Sequence, residues 1–320
     1  MTTLAVVVPC YNEEAVIQES AKVLSDYLQS LTEQGVIDGN SHIYFVDDGS
    51  SDGTWQLISQ FAADSPMFRG IKLSRNKGHQ NALLAGLYST QQDVVISLDA
   101  DLQDDYRVIE KMLTDFQAGK EIVFGVRSKR TTDTFFKRFT AEFYYWFLSK
   151  MGVDIIFNHA DFRLMSRRAI DALKEYSEVN IFLRGIIPQL GFQTSIVSYE
   201  RNKRTAGQSK YNLRRMIKLA WEGVTSFTNM PLRMITAMGF LVSLFSLAVI
   251  VWVLFMKFIA QDVVPGWAST LIPIMFLGGV QLVSVGILGE YISKIYLETK
   301  RRPRYHIEQT TFDTDSTGKQ

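Results

Sequence analysis

The sequence predicts an α/β fold with a mostly parallel β-sheet flanked by helices, followed by a hairpin of two transmembrane helices. Two observations predict this. Strand-like apolar runs alternate with helix-like periodic segments in the N-terminal part. Charged residues nearly vanish after Arg233 and return as a basic cluster near Lys300. The formal net charge of +1 gives no indication of a nucleic-acid partner.

The elements of the α/β part follow one another along the chain. Residues 4–9 form an apolar, β-branched run typical of a buried strand, and residues 13–31 have helical periodicity. The same patterns then predict strands at 42–46, 70–73, 93–98 and 121–126, and helices at 54–63 and 80–89. Ligands of such sheets bind beyond the carboxyl ends of the strands.

Two long apolar stretches follow. About 23 residues between Arg233 and Lys257, and about 27 between Asp262 and Glu290, carry no charge, which is enough to cross a bilayer. A buried core hairpin is the alternative, but two adjacent runs of this length are rare in soluble folds. Basic residues flank the pair, whereas the loop 261–266 has no Lys or Arg. The positive-inside rule therefore predicts a multi-pass inner-membrane protein whose catalytic domain and tail face the cytoplasm.

These patterns divide the chain into five predicted parts. They are a cytoplasmic catalytic domain (1–210), an amphipathic interfacial region (211–232), transmembrane helices (233–259 and 265–292), and a basic cytoplasmic tail (293–320), frayed from Gln309 onward. An aromatic segment, 135–150, is a second candidate for the membrane surface; ordinary core-packing helices are the alternative for both segments. Glycines at 278, 279, 286 and 289 permit close helix contact and a homo-oligomer, with lipid-facing helices as the alternative.

Carboxylates follow two of the predicted strands. Asp99 and Asp101 come after the strand at 93–98, and on an extended chain residues i and i+2 point to the same side. Two carboxylates held close together favour a cation between them, and oxygen ligands suit Mg²⁺ or Mn²⁺. Gln103 adds a neutral oxygen, and Asp47 follows an earlier strand. A solvated loop is the alternative for a lone Asp-x-Asp.

Two basic segments supply candidate phosphate ligands. They run from Arg127 to Arg138 and from Arg201 to Lys210, and arginine binds phosphate oxygens bidentately. Lipid headgroups are further candidate partners, and a solvated surface is the alternative. The chain has no Gly-x-Gly-x-x-Gly after the first strand and no Walker-type Gly-Lys-Ser/Thr, so neither a dinucleotide site nor a P-loop is predicted. The single cysteine, Cys10, excludes an intrachain disulfide and has a structural role.

Several motifs resemble those of family-2 glycosyltransferases, which have the GT-A fold. The most specific are VPCYNEE at 8–14, VDDGSSDGT at 46–54 and DADLQ at 99–103. The motifs GVR at 125–127, DFRLM at 161–165 and RTAGQSKY at 204–211, with the two-helix tail, are similar to polyprenyl-phosphate glycosyltransferases. That group includes dolichol-phosphate mannosyltransferases and, closest in pattern, bacterial bactoprenol glucosyltransferases. One departure is Asp104-Asp105, where many relatives carry proline, and we expect it to alter loop stiffness more than chemistry.

The resemblance implies a role for each matching residue. It implies nucleotide-sugar binding by Pro9, Tyr11, Glu13, Asp47, Asp48, Asp99, Ala100 and Asp101. It implies a metal site at Asp99, Asp101 and Gln103, and contacts to the donor or lipid phosphate from Arg127, Arg138, Arg204, Ser209 and Lys210. The implied catalytic residues are Asp101, Asp161 and Arg127.

The implied activity is inverting, metal-dependent transfer of glucose from UDP to a polyprenyl phosphate such as undecaprenyl phosphate. The implied cofactor is Mg²⁺ or Mn²⁺, and the implied partners are a nucleotide-sugar donor, the lipid acceptor and the membrane. Because a phosphate monoester is already anionic near neutral pH, we expect Asp161 to position a substrate rather than remove a proton. GDP-mannose or a modified-arabinose donor, another acceptor, and a non-catalytic membrane scaffold are the alternatives.

Overall fold

The computed structural model describes residues 1–127, 159–179, 182–200, 230–255 and 266–312. The chain forms two compact units. The first contains the described residues up to 200 together with 302–312, and the second contains those from 230 to 301. The predicted sites at Arg138, Arg204, Ser209 and Lys210 lie outside the described residues, as does the predicted surface segment at 135–150. Of the predicted interfacial region 211–232, residues 211–229 lie outside them, and residues 230–232 are helical.

The first unit is built on one eight-stranded sheet with helices. Its strands, in spatial order, are β7 (Thr194–Tyr199), β5 (Ile122–Arg127), β6 (His159–Ser166), β4 (Val94–Ser97), β1 (Leu4–Cys10), β2 (His42–Asp47), β3 (Phe68–Leu73) and β8 (Ile307–Thr310). Its helices are α1 (Ile17–Glu33), α2 (Thr54–Asp64), α3 (His79–Ser89), α4 (Ile109–Gln117), α5 (Arg167–Lys174) and α6 (Leu183–Gln189). Strands β4, β1, β2 and β3 run parallel, as do β5 and β7, whereas β6 and β8 are antiparallel to their neighbours.

The core forms because β1 is apolar on both of its faces. All seven of its residues are buried, as expected of a parallel strand that is covered on both sides. Helix α1 lays a stripe of Ile17, Leu24, Leu28 and Leu31 against this core, at the three- and four-residue spacing of one helix face. The helix ends before Gly35, whose φ of 72° is the left-handed conformation that commonly terminates helices.

The predicted α/β class, with its mostly parallel sheet, is confirmed. Each predicted strand and helix of residues 1–127 has a counterpart within a few positions. The first helix begins at Ile17 rather than residue 13, because residues 11–16 are bends and turns, and β4 ends at Ser97. Cys10 is buried in the core, as its predicted structural role requires.

The prediction that the chain frays from Gln309 is wrong for residues 309–312. Residues 307–310 form β8, which pairs with the outer side of β3, with Gln309 opposite Lys72 and Thr310 opposite Ile71. The polar side chains suggested fraying, but an edge strand is held by backbone hydrogen bonds and leaves its side chains exposed. These residues therefore belong to the first unit rather than to a free tail.

The second unit contains two long helices, α7 (Met230–Phe255) and α8 (Trp267–Thr299). Among the described residues, one helical segment, Phe276–Thr299, is long and apolar enough to cross a membrane by length and composition. Large apolar side chains of α7, such as Phe240 and Phe245, are also exposed. A pair of membrane-spanning helices stays a prediction, and α8 continues past the predicted boundary at 292.

Of the glycines of α8, Gly278 is half-buried and Gly279, Gly286 and Gly289 are exposed in the single chain. No heavy atom would lie within 4 Å of a Cβ built at Gly278, Gly279, Gly286 or Gly289. The predicted homo-oligomer therefore stays a prediction.

Candidate active site

The loops after β1 and β2 are joined to each other by hydrogen bonds at the carboxyl edge of the sheet. The left-handed backbone of Asn12, with φ of 56°, turns its loop toward the other, a conformation that asparagine adopts more readily than most residues. The bonds run from Asn12 N–H to Ser50 Oγ (2.9 Å), Ser51 N–H to Asn12 Oδ1 (2.8 Å), Glu13 N–H to Thr54 Oγ1 (3.0 Å) and Gly53 N–H to Glu14 Oε2 (2.9 Å). Much of both motifs therefore builds the scaffold of the site.

Asp47 and Asp48, at the end of β2, differ in their surroundings. Asp47 is fully buried, and its Oδ1 accepts the Ser50 N–H at 3.2 Å, but its Oδ2 has no hydrogen-bond partner among the described residues. Asp48 accepts the N–H groups of Lys77 (2.7 Å) and Gly78 (2.8 Å). Burial raises the pKa of both carboxyls. Asp48 thus anchors the loop before α3, whereas one acceptor oxygen of Asp47 is unpaired in the part of the chain that the structure describes.

The Asp99–Asp101 segment is a turn rather than an extended chain. The N–H of Leu102 donates to the Asp99 carbonyl at 3.3 Å, and Leu102 has φ of 46°, which is rare for a branched residue. The expectation that the chain is extended here is therefore wrong, and a shared site for the two carboxylates stays a prediction. Ala100 is buried, and its carbonyl accepts the Ser20 hydroxyl of α1 at 2.5 Å. This bond fixes the turn against the core.

Asp99 lies in a crowded acidic environment. Burial raises the pKa of its carboxyl, and the nearby charges of Asp161, Asp104 and Asp101 raise it further, while His79 opposes them. His79 Nε2 lies 3.8 Å from Asp99 Oδ1 and 3.5 Å from Asp161 Oδ2. Among the described residues, Asp99 therefore has three acidic neighbours and one nearby histidine.

Asp161, on β6, is held by two arginines. It accepts from Arg163 at 2.6 Å and from Arg184 of α6 at 3.0 and 3.2 Å, and Arg163 is 1% exposed. Burial alone would raise the pKa of Asp161, but the hydrogen bond from His79 and the charges of both arginines hold it well below its ordinary value. A carboxylate with so low a pKa is a poor base, which agrees with a positioning role.

Arg127, at the end of β5, is engaged by Asp104. Its Nε donates to Asp104 Oδ1 at 3.0 Å and its Nη2 to Oδ2 at 3.2 Å. Asp104 is buried, so the ion pair is shielded from solvent on that side. We expected the residues at 104–105 to alter loop stiffness more than chemistry. Asp104 does more than this, because it binds two donors of Arg127, the arginine predicted to bind phosphate.

The model of the family described as glycosyl transferase family 2 matches residues 5–174, which include the carboxylates of this site. This chain belongs to glycosyl transferase family 2. It is 47% identical over 308 residues to the uncharacterized glycosyltransferase YkoT of Bacillus subtilis, covering 95% of this chain and 91% of that protein. It is 41% identical to the bactoprenol glucosyl transferase of Shigella phage SfX, covering 95% and 98%, and 38% identical to a prophage bactoprenol glucosyl transferase homolog of Escherichia coli, covering 96% and 98%.

In this family-2 glycosyltransferase, Asp99 and Asp101 fit a divalent cation that binds together with a phosphate ligand. No three His, Cys, Asp or Glu side chains converge as a metal site in the part of the chain that the structure describes. Mg²⁺ in phosphoryl sites commonly takes one or two carboxylates, several waters and the substrate's own oxygens. The three acidic neighbours of Asp99 among the described residues suit such an ion. Gln103 is buried, and its backbone N–H donates to Asp101 Oδ1 at 3.2 Å.

Three residues of the glycosyltransferase site were not singled out by the sequence patterns. Arg163 lies inside the quoted 161–165 motif, yet nothing in its type indicated that it would be buried beneath Asp161. Arg184 and His79 are distant from Asp161 in the chain and reach it only in the folded sheet. The one available signal was position, because His79 begins the helix after β3 and so faces the carboxyl edge.

Proposed function

We propose that this glycosyltransferase transfers a glucosyl group from UDP-glucose to a polyprenyl phosphate, with undecaprenyl phosphate as the acceptor. One observation carries the proposal. The likeness to the Shigella phage bactoprenol glucosyl transferase covers 95% of this chain and 98% of that protein, so it includes the apolar helices as well as the catalytic unit. A lipid acceptor requires both a sugar-transfer site and access to the membrane.

Asp47, Tyr11 and Glu13 would bind the nucleoside. Asp47 Oδ2 is a buried acceptor without a partner among the described residues, and burying such a group costs about 1–3 kcal/mol unless something donates to it. A ring N–H of the base would supply that hydrogen bond. Tyr11 is 48% exposed and offers a flat face for stacking, while Glu13, three residues after Cys10 in the chain, would bind the ribose.

Asp99 and Asp101 would hold Mg²⁺ or Mn²⁺ with the donor diphosphate. When bound, the cation would neutralise charge that develops on the departing UDP. Arg127 would add its remaining donor capacity at the same edge, and the proposed phosphate ligands Arg138, Arg204, Ser209 and Lys210 would serve the two phosphate groups.

The transfer we propose is a single in-line displacement with inversion. An oxygen of the lipid phosphate forms a bond to the anomeric carbon while the bond from that carbon to UDP breaks, and its electron pair leaves on the diphosphate. The acceptor oxygen is already anionic near neutral pH, because the second pKa of a phosphate monoester is about 6. Asp161, fixed by Arg163 and Arg184, would orient the sugar and take no proton.

We place the enzyme in the cytoplasmic membrane with α7 and α8 both crossing it and the catalytic unit in the cytoplasm. Basic residues before and after the helix pair, and their absence from the loop 261–266, support this orientation. Anchoring places the site near the lipid headgroups and raises the effective concentration of acceptor.

The test uses the full chain in nanodiscs that contain undecaprenyl phosphate. We expect UDP-glucose to yield a lipid-extractable glucoside, GDP-mannose to yield none, and EDTA to abolish the product. Asp99→Asn should remove activity, whereas Asp64→Asn, an exposed aspartate at the end of α2, is the matched control that should retain it. Equal product with EDTA would contradict the metal, and product from GDP-mannose alone would contradict the donor.

A further inference from the structure

Residues 304–312, which we name the C-terminal strap, cross the catalytic unit beside β3. The strap adds β8 to the sheet, and its hydrogen bonds continue past the strand. Thr311 N–H donates to the Gly70 carbonyl at 3.0 Å, and Gly70 N–H donates to Thr311 Oγ1 at 2.8 Å. A Cβ at Gly70 would lie 2.7 Å from Ile58 and 3.0 Å from Thr311, so the glycine is needed for this close approach.

Side chains fix the strap at both of its ends. Phe312 packs edge-on against Tyr44, with ring centroids 5.5 Å apart, and Arg69 lies 5.1 Å from the Phe312 ring. At the other end, Arg304 donates to the carbonyls of Glu178 (2.9 Å) and Tyr176. The strap therefore connects β2, β3 and the segment after α5, and it has the contacts of an ordered element of the fold.

Between these ends the strap contacts the loop that leads into the active site. Ser74 N–H, directly after β3, donates to the His306 carbonyl at 3.0 Å. The same loop, residues 74–78, donates from Lys77 and Gly78 to Asp48, and His79 follows it. The loop also passes so close to Gly49 that a Cβ there would lie 2.6 Å from the backbone of Arg75.

We propose that the C-terminal strap is a positioning element of the donor site. It holds the first residue of loop 74–78, while Asp48 holds the last two, so the loop is fixed at both ends and delivers His79 to Asp99 and Asp161. Without the strap, Ser74 N–H and Gly70 N–H lose their partners, and the loop is held from one side only. The inference rests on the proposed function only in taking the ligand of this edge to be a nucleotide sugar.

Two pairs of full-chain variants test the strap. Gln309→Pro removes a backbone N–H from β8, and its control, Glu308→Gln, changes only an exposed side chain that pairs with Lys72 at 3.2 Å. Thr311→Val removes the hydroxyl that accepts from Gly70, and Thr311→Ser keeps it. If Gln309→Pro does not fold, Thr311→Val and its control still test the strap.

We expect hydrogen exchange at residues 74–78 to become about five- to tenfold faster in Gln309→Pro and in Thr311→Val, and to stay unchanged in both controls. The KM for UDP-glucose should rise by a similar factor with a smaller change in kcat. Faster exchange confined to residues 70–73, with the loop unchanged, would overturn the proposal and leave the strap a cover for the sheet edge. Because hydrogen exchange can be measured without turnover, it tests whether the strap positions loop 74–78 even if the proposed transfer is not observed.

Discussion

Replacing Asp161 by asparagine should lower stability strongly, because Arg163 then keeps a buried charge without its counter-ion. Arg163 is 1% exposed and lies 2.6 Å from the carboxylate. Removing one partner of such a pair costs about 3–5 kcal/mol. We take the lower end, about 3 kcal/mol, because asparagine keeps one acceptor oxygen. In a unit of this size 1 kcal/mol corresponds to about 2–4 °C, so Tm should fall by about 6–12 °C.

The measurement is thermal unfolding of the purified full chain, with Arg184→Gln as the comparison. The Arg184 side chain is 35% exposed, so its loss should cost no more than about 1 kcal/mol. Adding Arg163→Met to Asp161→Asn should restore part of the lost stability, since the unpaired charge is then gone. A shift below about 2 °C for the single variant, or no recovery in the double variant, would refute the reasoning. If Asp161→Asn loses transfer activity at neutral pH and regains it at high pH, the positioning role of Asp161 is refuted.

Three further predictions follow from the same geometry. Asp99→Asn should abolish transfer and remove any Tm increase caused by Mn²⁺, because the carboxylate that would bind the cation is gone. A Tm increase of unchanged size would contradict the assignment. Because the pKa of Asp161 is depressed, its ionisation stabilises the fold at neutral pH. This contribution declines as the pH falls below the ordinary pKa of 3.8 and is lost once the pH falls below the lower pKa of the folded state. The stabilities of Asp161→Asn and of the unsubstituted chain, measured by acid titration, should therefore converge only in strong acid. Gly125→Ala should lower the free energy of unfolding by about 1–3 kcal/mol, because the added Cβ would lie 2.9 Å from Phe162. An unchanged Tm would show that Phe162 moves aside without cost.

The sequence was sufficient for the elements whose signal is local. The β-branched run of β1 and the periodic stripe of α1 each depend on neighbours within a few residues, so both could be predicted. The same holds for Asp47 and Asp99, because a polar residue directly after a buried strand of a parallel sheet lies at the ligand-binding edge. The two elements were predicted from the spacing of apolar residues, and the two aspartates from their position at the end of a predicted strand.

Features that depend on distant pairing could not be predicted. The polar strand β8 gains its place from the open edge of β3, far earlier in the chain, and nothing within residues 307–310 indicates a partner. The antiparallel β6 lies between two strands that come before it in the sequence. The turn at Asp99–Leu102 is bonded to a distant helix, since the Ser20 hydroxyl of α1 donates to the Ala100 carbonyl. Local propensity contains no information on these contacts.

The carboxylates of the site fall into two groups according to what compensates their charge. Asp48 is bonded by backbone amides, Asp104 by Arg127, and Asp161 by two arginines, so the protein itself satisfies all three. Asp47 and Asp99 are the exceptions in the part of the chain that the structure describes, since Asp47 Oδ2 is buried without a hydrogen-bond partner there and Asp99 has three acidic neighbours. A folded protein retains such costs where a ligand offsets them. A base N–H of the donor would give Asp47 Oδ2 a partner, and a cation bound with the diphosphate would offset the negative charge at Asp99. We therefore expect Asp47 and Asp99 to determine donor binding, whereas Asp48, Asp104 and Asp161 determine the shape of the site.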